Sequence, residues 1–157
     1  MSKFEKDKDI FFMQAALRQA RKAFANDEVP VGAVVVDPQG KIISRGHNMV
    51  EKKNTQAAHA EILALEKAGK KRENWRMEGC WLYVTLEPCV MCMGLIFLSR
   101  LEGIVFGASS LLFGYRLDKH VPLSVYNNDM LSVVSGVCVN DSVRLLKKFF
   151  KNKRENE

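Results

Sequence analysis

Two short clusters, His59-Ala60-Glu61 and Pro88-Cys89-Val90-Met91-Cys92, restrict this chain more than any other feature. Each sits where a loop gives way to a predicted helix, so the fold must bring two helix starts to one point. Side chains of a helix lean toward its N-terminus, which lets first-turn residues converge beyond that end. Cys89 and Cys92, three apart, share one helix face, and N-terminal amides favour the thiolate that binds metal. One imidazole nitrogen and two thiolates suit a tetrahedral Zn²⁺. His59, Cys89 and Cys92 are therefore the expected ligands of one zinc ion per chain. Cys80 and Cys138 read as core strand residues, which leaves His47 and His120 as the remaining candidates for a fourth ligand. Three protein ligands leave a position open for water, the mark of a catalytic zinc, and two thiolates neutralise the dication.

The rest of the chain supplies a scaffold for two such helix starts. Ile10, Met13, Leu17, Ala20 and Phe24 recur every three or four residues and predict an amphipathic first helix. Residues 31–36 form a short apolar run ending at Asp37-Pro38-Gln39-Gly40, a turn with Pro second and Gly fourth; residues 41–47 return as a hairpin partner. A helix over about 58–70 turns Ile62, Leu63, Leu65 and Ala68 inward and ends near Gly69. Residues 80–86 are rich in β-formers, Pro88 stops them, and a second apolar helix covers about 89–99. Residues 103–107 make another strand and 131–137 a weaker fifth, after which Asn140 caps a final basic helix. Strands alternating with helices predict an α/β fold, three layers α/β/α, and the hairpin makes its five-stranded sheet mixed. The 157 residues carry no repeat, low-complexity tract or Pro/Gly-rich linker. A single domain over 1–157, with its own core, is expected.

Composition excludes several classes. With 47% hydrophobic and 27% charged residues the chain reads as an ordinary globular protein. Its first residues are too charged for a secretory signal, and the longest apolar run, 90–99, is about half of what a bilayer requires. No membrane association is expected. Four cysteines without regular spacing make no disulfide framework, so a reducing, cytoplasmic setting follows. The net charge of +6 concentrates near the C-terminus, in Arg144, Lys147, Lys148, Lys151, Lys153 and Arg154. Such a cluster suits a solvated helix end. A basic helix carrying Phe149 and Phe150 is also what nucleic-acid contact would use.

Either cluster alone is a weak signal. His-x-Glu followed by Pro-Cys-x-x-Cys, each opening a helix, is the signature of zinc-dependent nucleobase deaminases. The chemistry implied is attack of water on the ring carbon bearing an exocyclic amino group, C6 of adenine or C4 of cytosine. Glu61, which is not a ligand, would carry one water proton to a ring nitrogen and later protonate the departing ammonia. A nucleic-acid-binding module with a structural zinc is the competing class, and a fourth protein ligand would favour it.

Beyond the site, the chain resembles the bacterial tRNA-specific adenosine deaminase (TadA-type) family of the cytidine/deoxycytidylate deaminase superfamily over nearly its whole length. The residues that carry the resemblance are Glu28-Val29-Pro30-Val31-Gly32-Ala33, Asn48, His59-Ala60-Glu61-Ile62, Tyr83 through Cys92, Val105-Phe106-Gly107-Ala108 and the Phe149-Phe150 pair. The resemblance implies a cytidine-deaminase-like fold and a homodimer that converts the wobble adenosine of a tRNA anticodon stem-loop to inosine. It also implies that Asn48 contacts the bound nucleoside and that Val29 and Pro30 shape the pocket wall. Read from the residues alone, Asn48 is equally a turn residue, and Val29 and Pro30 the entry to a strand. One segment departs: where the family has an acidic residue engaging the target ribose, this chain has Ser110, followed by Leu111-Leu112-Phe113. A hydroxyl still reaches a 2′-OH, without the stronger carboxylate acceptor. Loop packing is the plain reading of the apolar triplet. A deaminase of a free base or nucleoside, guanine or cytosine type, on the same fold is the alternative.

Overall fold

The computed structural model describes residues 1–115 and 131–157; His120 lies outside them. Helix α1 (Lys6–Ala25) buries Phe12, Met13, Ala16, Leu17 and Ala20. Its buried stripe is centred on Ala16 and Ala20 because strand β1 (Gly32–Val36) has a glycine beneath them. A Cβ at Gly32 would lie 2.1 Å from the Ala16 carbonyl oxygen. Ile10, expected inside, falls at the stripe's edge and is exposed.

Strand β2 (Ile42–His47) returns antiparallel to β1. In the turn between them the Gly40 N–H donates to the Asp37 carbonyl, and Asp37 Oδ1 accepts from the N–H groups of Gln39 and Lys41. Gly40 takes φ +81°, which favours glycine there. A four-residue helix α2 (Val50–Lys53) and a 3₁₀ turn (Gln56–Ala58) then lead into α3 (Ala60–Arg72). The third helix therefore starts two residues later than the sequence reading placed it. It runs past Gly69 to Glu73, whose left-handed backbone ends it. Ile62 is only half-buried, while Leu63, Leu65 and Ala68 are inside.

Strand β3 (Trp81–Leu86), helix α4 (Val90–Leu98), strand β4 (Gly103–Ala108), strand β5 (Ser132–Ser135) and helix α5 (Val139–Glu155) complete the described elements. Helix α5 starts one residue before Asn140, so Asn140 lies in its first turn. Cys138, read from sequence as a strand residue, takes the capping position with a left-handed backbone.

The sheet runs β2-β1-β3-β4-β5; β1 is antiparallel to both neighbours and β3, β4 and β5 are parallel. The expected mixed five-stranded α/β architecture is thus present. Side-chain alternation splits the core into two layers. Val34, Val36, Trp81, Tyr83 and Val105 pack under α1, whereas Ala33, Val35, Leu82, Val84, Ile104 and Phe106 pack with residues of α3 and α4. Gly107 lets α5 onto the α1 side, because a Cβ there would lie 2.4 Å from Ser142 Oγ. The registers bring the carboxyl ends of β2, β3 and β4 and the amino end of β1 to one edge. Open α/β sheets bind ligands beyond such an edge.

Candidate active site

That edge collects what the sequence had kept apart. Both clusters lie at helix starts there: His59 is the residue before α3, and Cys89 the residue before α4. His59 Nδ1 stands 3.7 Å from Cys89 Sγ and 3.4 Å from Cys92 Sγ. The three ligand atoms all lie within 4.8 Å of one another. Tetrahedral zinc with Zn–N of about 2.0 Å and Zn–S of about 2.3 Å needs N···S edges of about 3.6 Å. The donor set fits one zinc ion. Among the described residues three ligands gather, and His47 and Cys80 do not join them. That favours the catalytic over the structural kind of zinc site.

The histidine is oriented by a residue that sequence reading missed. Its Nε2 faces Gln56 Oε1 at 3.2 Å. With Nε2–H donating to that amide oxygen, Nδ1 keeps its lone pair for the metal, a support that commonly accompanies ligating histidines. The only signal was position, one helical turn before His59. A hydrogen bond from Cys92, helped by His59, holds Cys89 down to about 4, while that bond and burial push Cys92 up. One thiolate is therefore formed at neutral pH, and metal capture displaces the proton of the other.

Glu61 is buried in the first turn of α3. Burial pushes its carboxyl up to about 7, where it both accepts and returns a proton near neutrality. With His59 it borders a cleft of about 1050 Å³.

The other expected contacts divide. Asn48 lines the cleft; its Nδ2 donates to the Val29 carbonyl at 3.3 Å, and its buried Oδ1 has no partner among the described residues. Buried polar atoms are rarely left so. Val29 lines the wall, but its companion there is Val31; Pro30 is buried away from the cleft. Ser110 lines it too, with its Oγ accepting from the Phe113 N–H at 3.3 Å. Phe149, expected to offer a stacking face, is buried edge-on against Phe24 and Phe150. That ring props Phe150, which is 45% exposed, on the cleft.

Two further carboxylates build the walls. Glu28 is buried and accepts from the N–H groups of Glu51 and Lys52, fixing the start of α2. Glu87 is buried and accepts from the Ser110 N–H at 2.9 Å. Neither charge had been given a role, because a buried acceptor of backbone donors leaves no periodic trace in sequence. Lys153 of α5 pairs with Asp27, tying the basic helix to the cleft's rim.

Comparison with known proteins agrees with this geometry. Residues 6–108 match the model of the cytidine and deoxycytidylate deaminase zinc-binding region. A tRNA-specific adenosine deaminase of Bacillus subtilis (strain 168) is 40% identical over 156 residues, covering 95% of this chain and 92% of that protein. One of Streptococcus pyogenes serotype M18 is 37% identical over 152 residues, covering 96% and 95%. Among solved structures, one from studies of A-to-I editing by tRNA:A34 deaminases superposes with a TM-score of 0.78 at 35% identity, covering 87% of this chain and 99% of that one. The guanine deaminase of Nitrosomonas europaea gives 0.77 at 27% identity, covering 89% and 83%.

Proposed function

This chain belongs to the cytidine and deoxycytidylate deaminase family, and from that premise we propose that it converts the wobble adenosine of a tRNA anticodon stem-loop to inosine. It is a zinc-dependent hydrolytic deaminase. The observation that carries the reading is the buried Glu61 carboxyl beside the three-donor cluster, on a cleft whose rim is a basic, aromatic-bearing helix.

His59, Cys89 and Cys92 would hold the zinc, which would supply Lewis acidity toward water at neutral pH. Glu61 takes the proton that the attacking water loses and delivers it to the ring nitrogen next to C6. A second transfer through Glu61 protonates the departing amino group, so adenosine and water give inosine and ammonia. Asn48 on the cleft wall orients the nucleoside, with Val29 along the base. Ser110 approaches the ribose, its hydroxyl hydrogen free to donate while its oxygen holds the Phe113 N–H. An anticodon loop suits such a site, because single-stranded bases splay out cheaply. The working unit is one cytoplasmic domain that pairs as a homodimer.

The likeness to a guanine deaminase, together with Ser110 in place of a carboxylate, favours a second reading: a free base or nucleoside as substrate. Incubation with a stem-loop carrying a wobble adenosine, beside guanine, cytidine and adenosine, separates the two. Inosine in the stem-loop at far higher kcat/KM supports the first reading. Faster ammonia release from guanine or cytidine replaces it with the second.

A further inference from the structure

The apolar triplet after Ser110 does not pack inward. Leu111, Leu112 and Phe113 are 83%, 82% and 74% exposed. The plain expectation of ordinary loop packing is therefore not met, and three large apolar side chains together in water are costly.

The loop that carries them is nonetheless held firmly. At its start the Ser110 N–H is taken by the buried Glu87 carboxylate, and Ser110 Oγ accepts from the Phe113 N–H. At its end Gly114 pairs in a β-bridge with Cys89, and the Tyr115 N–H donates to the Pro88 carbonyl at 3.0 Å. Gly114 is packed so closely that a Cβ would lie 2.5 Å from Glu87 Oε2. The exposed tip is thus anchored to the segment that carries the metal ligands, and Phe113 borders the same cleft as Phe150.

We propose that Phe113 is a stacking platform for the base next to the target nucleotide in single-stranded RNA, a specificity residue that this chain has in place of the missing carboxylate at Ser110. The inference rests on the RNA reading above. An aromatic face binds any base by stacking, and an anchored backbone reduces the entropy lost when it does so. Phe113 borders the same cleft as Glu61, His59 and Cys89, so a strand that delivers its target base there passes a neighbouring nucleotide by this ring.

The test uses the zinc-loaded enzyme and stem-loops bearing the wobble adenosine, intact or with an abasic residue immediately 5′ or 3′ of it. Phe113→Ala should raise KM for the intact stem-loop about tenfold, with a smaller effect on kcat. Phe113→Trp should restore it, and Phe113→Leu, which keeps apolar volume without a π face, should not. One of the two abasic stem-loops should erase the difference between wild type and Phe113→Ala. A difference that persists with both abasic substrates, or full rescue by leucine, overturns stacking. A fall in mass on light scattering for Phe113→Ala makes the loop a subunit contact and overturns it also. If the wild type leaves the stem-loop unmodified, the RNA reading fails first and takes this inference with it; an active wild type with an unaltered Phe113→Ala defeats the inference alone.

Discussion

Around the metal donors, losing a ligand and losing a proton carrier have different consequences, because Glu61 borders the cleft without being one of the three clustered donors. Cys92→Ala should abolish zinc retention, measured by elemental analysis after dialysis. Glu61→Gln keeps the shape and the metal but cannot accept a proton, so kcat should fall by about 10² to 10⁴-fold at unchanged zinc content. Near-normal turnover in Glu61→Gln would remove the proton-transfer role. Gln56 is the finer case. It bonds His59 at Nε2, the nitrogen away from the metal-facing Nδ1, so Gln56→Ala leaves the ring free to turn. Zinc affinity should drop about 10- to 100-fold in chelator competition, with the folded state retained.

At the scale of elements, the active-site edge depends on how closely β2 meets α3. A Cβ at Gly46 would lie 2.5 Å from the Ala60 carbonyl oxygen and 2.8 Å from the Ala64 nitrogen. Both are backbone atoms of the helix turn that carries Glu61. Gly46→Ala should therefore cost about 1–3 kcal/mol in chemical denaturation and lower activity beyond the loss of folded protein. A variant of unchanged stability would mean that α3 can retreat without cost. This contact was not legible in the sequence, where Gly46 reads as one residue of a strand. The strands themselves were legible, because buried runs such as residues 33–36 and 81–84 are continuously apolar. The long helices were legible from their spacing. Elements of one turn were not: α2 and the 3₁₀ turn are too short for any periodicity, and what fixes α2 is Glu28, some twenty residues earlier in the chain. The three clustered donors could be read directly, since their types and spacing are set by chemistry. Their supporting residues could not, since Gln56 and Glu87 act through positions that only the fold creates. Phe149 and Phe150 show the same limit, identical in type yet one buried and one exposed, because the face of α5 that meets Phe24 is decided by tertiary packing.

For the molecule as a whole, α4 leaves Val90, Met91 and Leu98 exposed, a face that a second copy would cover. Light scattering should give about twice the 17.8 kDa chain mass, and an active monomer at micromolar concentration would end that expectation. The charge distribution leads to a sharper prediction, because the cations of α5 are not equivalent. Arg144 lies near Asp141, Lys151 near Glu155, and Lys153 pairs with Asp27. Lys147 is exposed, with no salt bridge among the described residues. If α5 meets an RNA backbone, Lys147 is free to neutralise a phosphate, whereas Lys153 also holds the helix to the cleft. Lys147→Ala should then weaken stem-loop binding across sequences and reduce the slope of log K against log salt by about one unit. Lys153→Ala should do this and more, since the helix loses its tie to Asp27 and Phe150 loses its fixed place on the rim. Asp27→Ala separates the two effects: it breaks the same tie but keeps every cation of α5, so the salt slope should be no smaller than that of the wild type, and a fall in affinity would report the helix's lost position alone. Equal slopes for wild type and Lys147→Ala would return α5 to a solvated helix end, and equal affinity for wild type and Asp27→Ala would show that the helix keeps its position without the ion pair.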